Sequence, residues 1–104
     1  MKRRIPSWTT RAAEEIGQNI SSWRRMLGYT QAELADRAGV SRETLSRLER
    51  GDGSVSLHTV LNILHVFGIL DQGVDATNPY ATPFGMARAE QALPQRVSRR
   101  GGRQ

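Results

Sequence analysis

The segment 30–51 contains two short helical patterns joined by a tight turn, and this feature constrains the fold more than any other in the chain. Thr30 and Glu33 are spaced as the two members of a capping box, which marks the start of a helix. Gly39 is suited to end that helix because glycine adopts the left-handed conformation without a steric penalty. The pattern therefore predicts a first short helix over residues 31–38.

A second short helix is predicted over residues 42–50, directly after the turn. Ser41 is a favourable N-cap residue, and Leu45 and Leu48 are spaced to face the same side of the helix. Small residues before and within the turn would allow the two helices to cross closely. The spacing alone fits either a helix-turn-helix or a plain helical hairpin.

Apolar residues recur at helical spacing on both sides of this segment. On the N-terminal side they predict a helix over residues 14–27, which ends before Gly28. On the C-terminal side, Ser56 is the N-cap of a further helix that continues to Phe67. We therefore expect an all-α protein, a compact bundle of about five short helices.

The net charge of +5 is distributed unevenly along the 104 residues. Segments 1–13 and 76–104 are basic, whereas segment 14–75 contains more acidic than basic residues. We predict a basic N-terminal arm in segment 1–13, a helical domain in segment 14–75, and a largely flexible C-terminal tail in segment 76–104 with a short helix at 84–93 that ends before Pro94. The basic ends suit a polyanionic partner, although they would also suit a role in solubility alone.

Composition argues against several other classes of protein. Without cysteine the chain has no disulfide and no thiolate metal site, and His58 and His65 alone do not complete a zinc site. No paired acid and base, activated nucleophile or phosphate-binding loop is recognisable, so we expect no enzyme activity, no metal and no cofactor. No apolar run approaches the length of a membrane span, so we expect a soluble, cytoplasmic protein.

The outer face of the second helix carries side chains that can read DNA bases. Arginine can donate two hydrogen bonds to guanine, glutamate can accept one from cytosine, and the threonine methyl can contact the thymine methyl. The same residue types also suit a solvated helix face of mixed charge. The candidate base-reading residues are Arg42, Glu43, Thr44 and Arg47, and they make segment 14–75 a predicted DNA-binding domain.

Three motifs in this region resemble the Cro/C1-type, or XRE-type, helix-turn-helix family. They are Gln31-Ala32-Glu33-Leu34-Ala35, Gly39-Val40-Ser41 and Leu45-Ser46-Arg47-Leu48-Glu49-Arg50-Gly51. The resemblance covers about residues 14–70 and implies a lambda-repressor-like fold. It also implies a dimeric (auto)repressor that reads a palindromic operator in double-stranded DNA with its recognition helix.

The resemblance further implies roles for residues around the base-reading set. Gln31 matches a glutamine that contacts phosphate, and Arg24 and Glu49 match a pair that forms a structural ion pair. Several relatives carry glutamines on the base-reading face, whereas this chain carries two arginines and a glutamate. The operator sequence of a relative therefore does not transfer to this chain. The remaining candidates for phosphate contact are Ser41, Arg50, Gly53 and Ser54.

The last predicted helix of this domain and the residues just after it carry more apolar side chains than a single core-facing side of a helix requires. Such a surplus favours a dimer interface, with internal packing as the alternative. The candidate interface residues are Leu61, Ile63, Val66, Ile69 and Leu70.

The C-terminal segment resembles, on fewer residues, the ends of HipB-like antitoxins that accompany HipA-type kinase toxins. The residues concerned lie in segments 78–80, 84–90 and 93–100. This second resemblance implies an alternative function, in which the protein binds and neutralises a kinase toxin and represses its own operon.

Overall fold

The computed structural model describes residues 4–92, and this part of the chain is helical apart from its turns. The described residues contain no strand, which confirms the predicted all-α class. They fall into two compact units, one ending at Leu70 and one beginning at Asp71. The helices are α1 (Ser7–Met26), α2 (Gln31–Ala38), α3 (Arg42–Glu49), α4 (Leu57–Phe67), α5 (Leu70–Asp75) and α6 (Pro83–Ala92), with a short 3-10 helix (Pro79–Ala81) before α6.

The first helix of the central segment has the predicted bounds, and the second begins at the predicted residue but ends one residue earlier, at Glu49. The Thr30 hydroxyl accepts a hydrogen bond from the main-chain amide of Glu33, whose carboxylate accepts one from the Thr30 amide, at 3.0 and 2.8 Å. Gly39 ends α2 with a φ of 69°. The Ser41 hydroxyl then accepts a hydrogen bond from the Thr44 amide at the start of α3. These contacts satisfy main-chain groups that the helix ends would otherwise leave without partners.

One hydrophobic core holds α1 to α4 together. Leu34, Leu45 and Ile63 are its fully buried large side chains, and Trp23 stacks on Phe67 with a centroid distance of 5.6 Å. Small residues allow α2 and α3 to approach closely, since the side chains that α2 turns inward include two alanines. The buried core residues are Ile20, Leu34, Ala35, Ala38, Leu45, Leu48, Ile63 and Phe67.

Close contact between α1 and the end of α3 depends on Gly17. A Cβ atom at this position would lie 2.5 Å from the Leu48 carbonyl oxygen and 2.8 Å from that of Glu49. Both obstacles are main-chain atoms, which no change of rotamer can move. The missing side chain of Gly17 therefore sets the distance between α1 and the helix predicted to read DNA.

The first helix begins earlier than the apolar periodicity predicts. It starts at Ser7, after Pro6 in an extended conformation, and not at Glu14, so residues 7–13 are helical where we expected a basic arm. The periodicity does not extend into these residues because all of them except the half-buried Ala13 are exposed, and Trp8 is 71% exposed. Residues 1–3 of the predicted arm lie outside the described part of the chain.

At the other end, α6 overlaps the short helix predicted at 84–93, but it begins and ends one residue earlier. The rest of the predicted tail, from residue 93 onward, lies outside the described residues. Within residues 4–92, no helix has the length and apolar character needed to cross a lipid bilayer.

The dimer interface predicted on α4 and just after it needs a correction at Ile63. This side chain is completely buried and belongs to the core, so it is not available to a second subunit. Val66 and Ile69 are partly buried and also pack against the core. Leu61 and Leu70 are partly exposed. Sequence alone could not separate these residues because α4 uses more than one side of its surface for internal packing.

Candidate nucleic-acid interface

The predicted recognition helix, α3, is anchored from beneath and exposed on its outer side. Leu45 and Leu48 are 0% and 5% exposed, and both belong to the core. Arg42 and Glu43, in contrast, lie fully on the surface at the N-terminal end of the helix. The anchored face fixes the direction in which these two polar side chains leave the protein.

Two further residues at this end of α3 are joined to each other. Ser41 donates a hydrogen bond from its hydroxyl to Thr44 Oγ1 at 2.7 Å, in addition to capping the helix. Thr44 is half-buried, and Ser41 is exposed. This contact orients the Thr44 side chain, whose predicted role is contact with a thymine methyl.

At the opposite end of α3, Glu49 receives hydrogen bonds from two other helices. Arg24 on α1 donates from Nε and Nη2 to the two carboxylate oxygens at 2.8 and 3.1 Å. The Arg24 Nη1 group donates to the Tyr29 carbonyl oxygen at 2.9 Å. Gln31, the first residue of α2, donates from Nε2 to Glu49 Oε1 at 3.0 Å.

The cluster formed by Arg24, Gln31 and Glu49 is shielded from water. The side chains of Arg24 and Glu49 are only 14% and 7% exposed. Burial makes such a charged pair sensitive to the loss of either member. The cluster ties the end of the recognition helix to the start of α2, where Gln31 is predicted to contact phosphate. The sequence suggested the ion pair through the family resemblance but gave no sign of the contact with Gln31.

Arg47, predicted to read a base, is held by the loop that follows α3. Its Nε donates to Asp52 Oδ2 at 2.9 Å, and its Nη2 donates to Ser54 Oγ at 3.0 Å. Asp52 Oδ1 in turn accepts from the main-chain amide and the hydroxyl of Ser54, at 2.9 and 2.6 Å. Asp52 was not among the predicted site residues. Its two-residue interval to Ser54 is the one local signal for this turn.

The carboxyl group of Asp52 is strongly biased toward its charged form. Hydrogen bonds from the Ser54 hydroxyl, from the Ser54 amide and from Arg47 hold its pKa well below the usual range. Asp52 is therefore ionised at neutral pH, and its charge lies beside that of Arg47.

The other predicted phosphate contacts lie at the end of α3 and in the same loop. Arg50 is exposed and donates from Nη1 to Ser46 Oγ at 2.6 Å. Gly53 is also exposed, whereas the Ser54 amide is already bonded to Asp52. The loop passes close to α1 at Gly51, whose φ is +92° and whose added Cβ would lie 2.9 Å from Glu14 Cγ.

Comparison with known proteins assigns the family. A family model described as "Helix-turn-helix" matches residues 20–70. An uncharacterized HTH-type transcriptional regulator of Sinorhizobium fredii is 35% identical over 71 residues, which cover 67% of this chain and 90% of that protein. A putative HTH-type transcriptional regulatory protein of Pyrococcus furiosus is 35% identical over 51 residues, or 49% of this chain and 16% of that protein.

A third relative is named as an antitoxin. Antitoxin PezA of Streptococcus pneumoniae is 43% identical over 54 residues, which cover 52% of this chain and 34% of that protein. The chain thus spans only a minor part of the Pyrococcus and Streptococcus proteins but most of the Sinorhizobium one. With the family model and the helical geometry, these matches show that the chain belongs to the Cro/C1-type, or XRE-type, helix-turn-helix family of transcriptional regulators.

Proposed function

We propose that this protein is a sequence-specific repressor that binds double-stranded DNA by placing α3 in the major groove. The observation that carries the proposal is the arrangement of α3, whose buried leucines fix a helix with an exposed polar N-terminal end. In helix-turn-helix proteins the N-terminal residues of this helix contact base edges. Arg42, Glu43 and Thr44, together with Arg47 about one turn further along α3, would then read bases in the major groove.

The proposed phosphate contacts lie around both ends of the recognition helix. Gln31 donates only one of its side-chain N–H groups to Glu49, which leaves the other to donate to a phosphate oxygen. Ser41, Arg50 and Gly53 complete the set. Such contacts hold the protein in one register on the duplex without carrying sequence information themselves. The prediction for Ser54 is corrected, because its amide and its hydroxyl both donate to Asp52 and leave no donor for a phosphate oxygen.

A dimer is the oligomeric state that fits this function. A single module of this size covers little DNA, and two-fold dimers of such proteins bind half-sites separated by about one helical turn. We propose a palindromic operator and a dimer surface that includes Leu61 and Leu70, which are partly exposed. A single monomeric species in sedimentation equilibrium, both free and with DNA, would contradict the dimer.

The salt dependence of DNA binding tests the proposed function as a whole. The protein is expected to select a defined duplex from a random DNA pool and to lose affinity for it steeply as salt rises. On a plot of log affinity against log salt, each phosphate neutralised steepens the slope by about 0.9. Fluorescence anisotropy with the selected duplex measures this slope. A flat salt response, or no enrichment of any sequence, would contradict the proposal.

Replacing Arg42 with alanine is expected to weaken binding to the selected duplex by about 1 to 3 kcal/mol, because one base contact is lost. Preference at one base pair should relax at the same time. Arg25→Ala removes the same charge from the exposed side of α1, where Arg25 donates to Ser21, and serves as the control. Competition binding with single-base-pair variants of the duplex measures both effects. Equal loss of affinity for all sequences would make Arg42 a phosphate contact instead.

A second candidate function is that of an antitoxin. It is favoured by the similarity to PezA, which covers about half of this chain. In this case the protein would bind and neutralise a kinase toxin and also repress the shared operon. The neighbouring gene distinguishes the two functions. Co-expression with a kinase-like product of that gene should yield a stable complex and restore growth, whereas a neighbour unrelated to a toxin would leave the repressor function alone.

A further inference from the structure

The Arg47 guanidinium presents two different edges to its surroundings. Its side edge, formed by Nε and Nη2, faces the loop and donates to Asp52 and Ser54. The end edge consists of Nη1 and the second N–H of Nη2. Among residues 4–92, the side chains and carbonyl groups provide no hydrogen-bond acceptor for Nη1. The arginine is thus held along one edge and open along the other.

We infer that Asp52 and Ser54 are positioning residues for Arg47, which hold its side edge so that its end edge points at a guanine in the major groove. The inference rests on the proposed DNA-binding function and adds the specificity-determining role of two loop residues. Arginine can donate two hydrogen bonds to guanine O6 and N7 only if its planar group approaches in the right orientation. The loop acceptors supply this orientation before DNA arrives, so less side-chain freedom is lost on binding.

The charge of Asp52 has a second consequence for selectivity. Its ionised carboxylate lies 2.9 Å from the Arg47 Nε, so it offsets part of the attraction of Arg47 for phosphate. Attraction to phosphate is the same for every DNA sequence, whereas a base contact exists only at the cognate site. Asp52 therefore lowers affinity for non-cognate DNA and preserves affinity for the site at which Arg47 meets a guanine.

If the pair of Arg47 and Asp52 served only to stabilise the fold, its loss would lower the melting temperature and leave DNA selectivity unchanged. The side chains of Arg47 and Asp52 are 36% and 37% exposed. Ion pairs with this degree of exposure contribute little to the stability of the fold. Loss of the pair should therefore leave thermal stability nearly unchanged. A change in DNA selectivity without a change in melting temperature identifies a positioning role.

The test compares Asp52→Asn with the wild-type protein on three duplexes of equal length. The first is the duplex that the wild-type protein enriches from a random pool. The second is the same duplex in which the base pair read by Arg47, identified as the position where Arg47→Ala loses its preference, is replaced by another base pair. The third is an unrelated sequence. Asp52→Asn is expected to lower the ratio of cognate to unrelated affinity about five- to tenfold, mainly by tighter binding to the unrelated DNA. Asp75→Asn, which removes the same charge outside α1 to α4, is the matched control and should keep the ratio.

Two further comparisons separate positioning from a direct effect of charge. In an Arg47→Ala background, Asp52→Asn should no longer change preference at the exchanged base pair, because no guanidinium remains to be positioned. Ser54→Ala should reduce that preference at unchanged net charge, and Ser54→Thr, which keeps the hydroxyl, should restore it. Additive effects of Asp52→Asn and Arg47→Ala on base preference would overturn the inference. So would full selectivity in Asp52→Asn.

The outcomes also separate this inference from the function on which it rests. A wild-type protein that binds all three duplexes equally would contradict both. A selective wild-type protein whose selectivity survives Asp52→Asn and Ser54→Ala would contradict the role of the loop and leave the repressor function standing.

Discussion

Replacing Glu49 with alanine is expected to lower the free energy of unfolding by about 3 to 5 kcal/mol, because it leaves a shielded guanidinium without its anion. Arg24 donates to both oxygens of Glu49, and its side chain is only 14% exposed. One acceptor, the Tyr29 carbonyl oxygen, would remain for it. For a domain of this size the midpoint of thermal unfolding should fall by at least about 10 °C, which circular dichroism can follow.

Two variants show which part of the Glu49 cluster matters for stability and which for DNA. The double variant Arg24→Met/Glu49→Leu removes both charges and should recover most of the stability, since apolar pairs often replace buried ion pairs without loss. The DNA affinity of the double variant should nevertheless be lower than that of the wild-type protein. Gln31 still lacks the Glu49 carboxylate oxygen, 3.0 Å from its Nε2, that orients it. If Glu49→Ala unfolds at the wild-type temperature, the cluster does not hold the helices together.

Local sequence was sufficient to predict the central helices because their ends depend on neighbouring residues. Thr30 and Glu33 cap α2, Ser41 caps α3, and Gly39 ends α2 in the left-handed region. Each of these contacts joins residues a few positions apart, so the side-chain types and their spacing contain the whole signal. The inward direction of Leu45 and Leu48 follows from helical spacing in the same way.

Contacts between residues far apart in the sequence could not be predicted from local sequence patterns. The bond from Gln31 to Glu49 and the contact of Gly17 with the end of α3 depend on how three helices cross. The position of Ile63 in the core likewise depends on which side of α4 meets its neighbours. Such facts require the tertiary arrangement, since none of them changes the periodicity of the helix concerned.

The candidate site shows the same division between local and tertiary information. Helical spacing and residue type indicated that Arg42 and Arg47 share the outer face of α3. They did not indicate that Arg47 is held by Asp52 while Arg42 remains exposed. Two arginines with the same predicted role therefore enter the proposed interface under different constraints, and only the loop after α3 distinguishes them.

Replacing Gly17 with alanine is expected to destabilise the protein by about 3 kcal/mol, at the upper end of the usual cost of overpacking. Helix propensity alone predicts the opposite sign, since alanine in a helix interior is favoured over glycine by about 1 kcal/mol. The added Cβ would lie 2.5 Å from the Leu48 carbonyl oxygen, and main-chain atoms of α3 cannot rotate away from it. Relief requires α1 and α3 to separate, which would also shift the recognition helix.

Asn19→Ala provides the control for Gly17→Ala, because it changes an exposed residue of the same helix to alanine. This control should stabilise the protein slightly, by about 0.5 kcal/mol, through helix propensity alone. Denaturant unfolding measures both variants, and binding to the selected duplex reports whether α3 has moved. If Gly17→Ala is as stable as Asn19→Ala and binds DNA normally, α1 does not set the position of α3. A destabilised variant that also loses affinity under conditions where it remains folded would show that the spacing between these helices governs how α3 meets DNA.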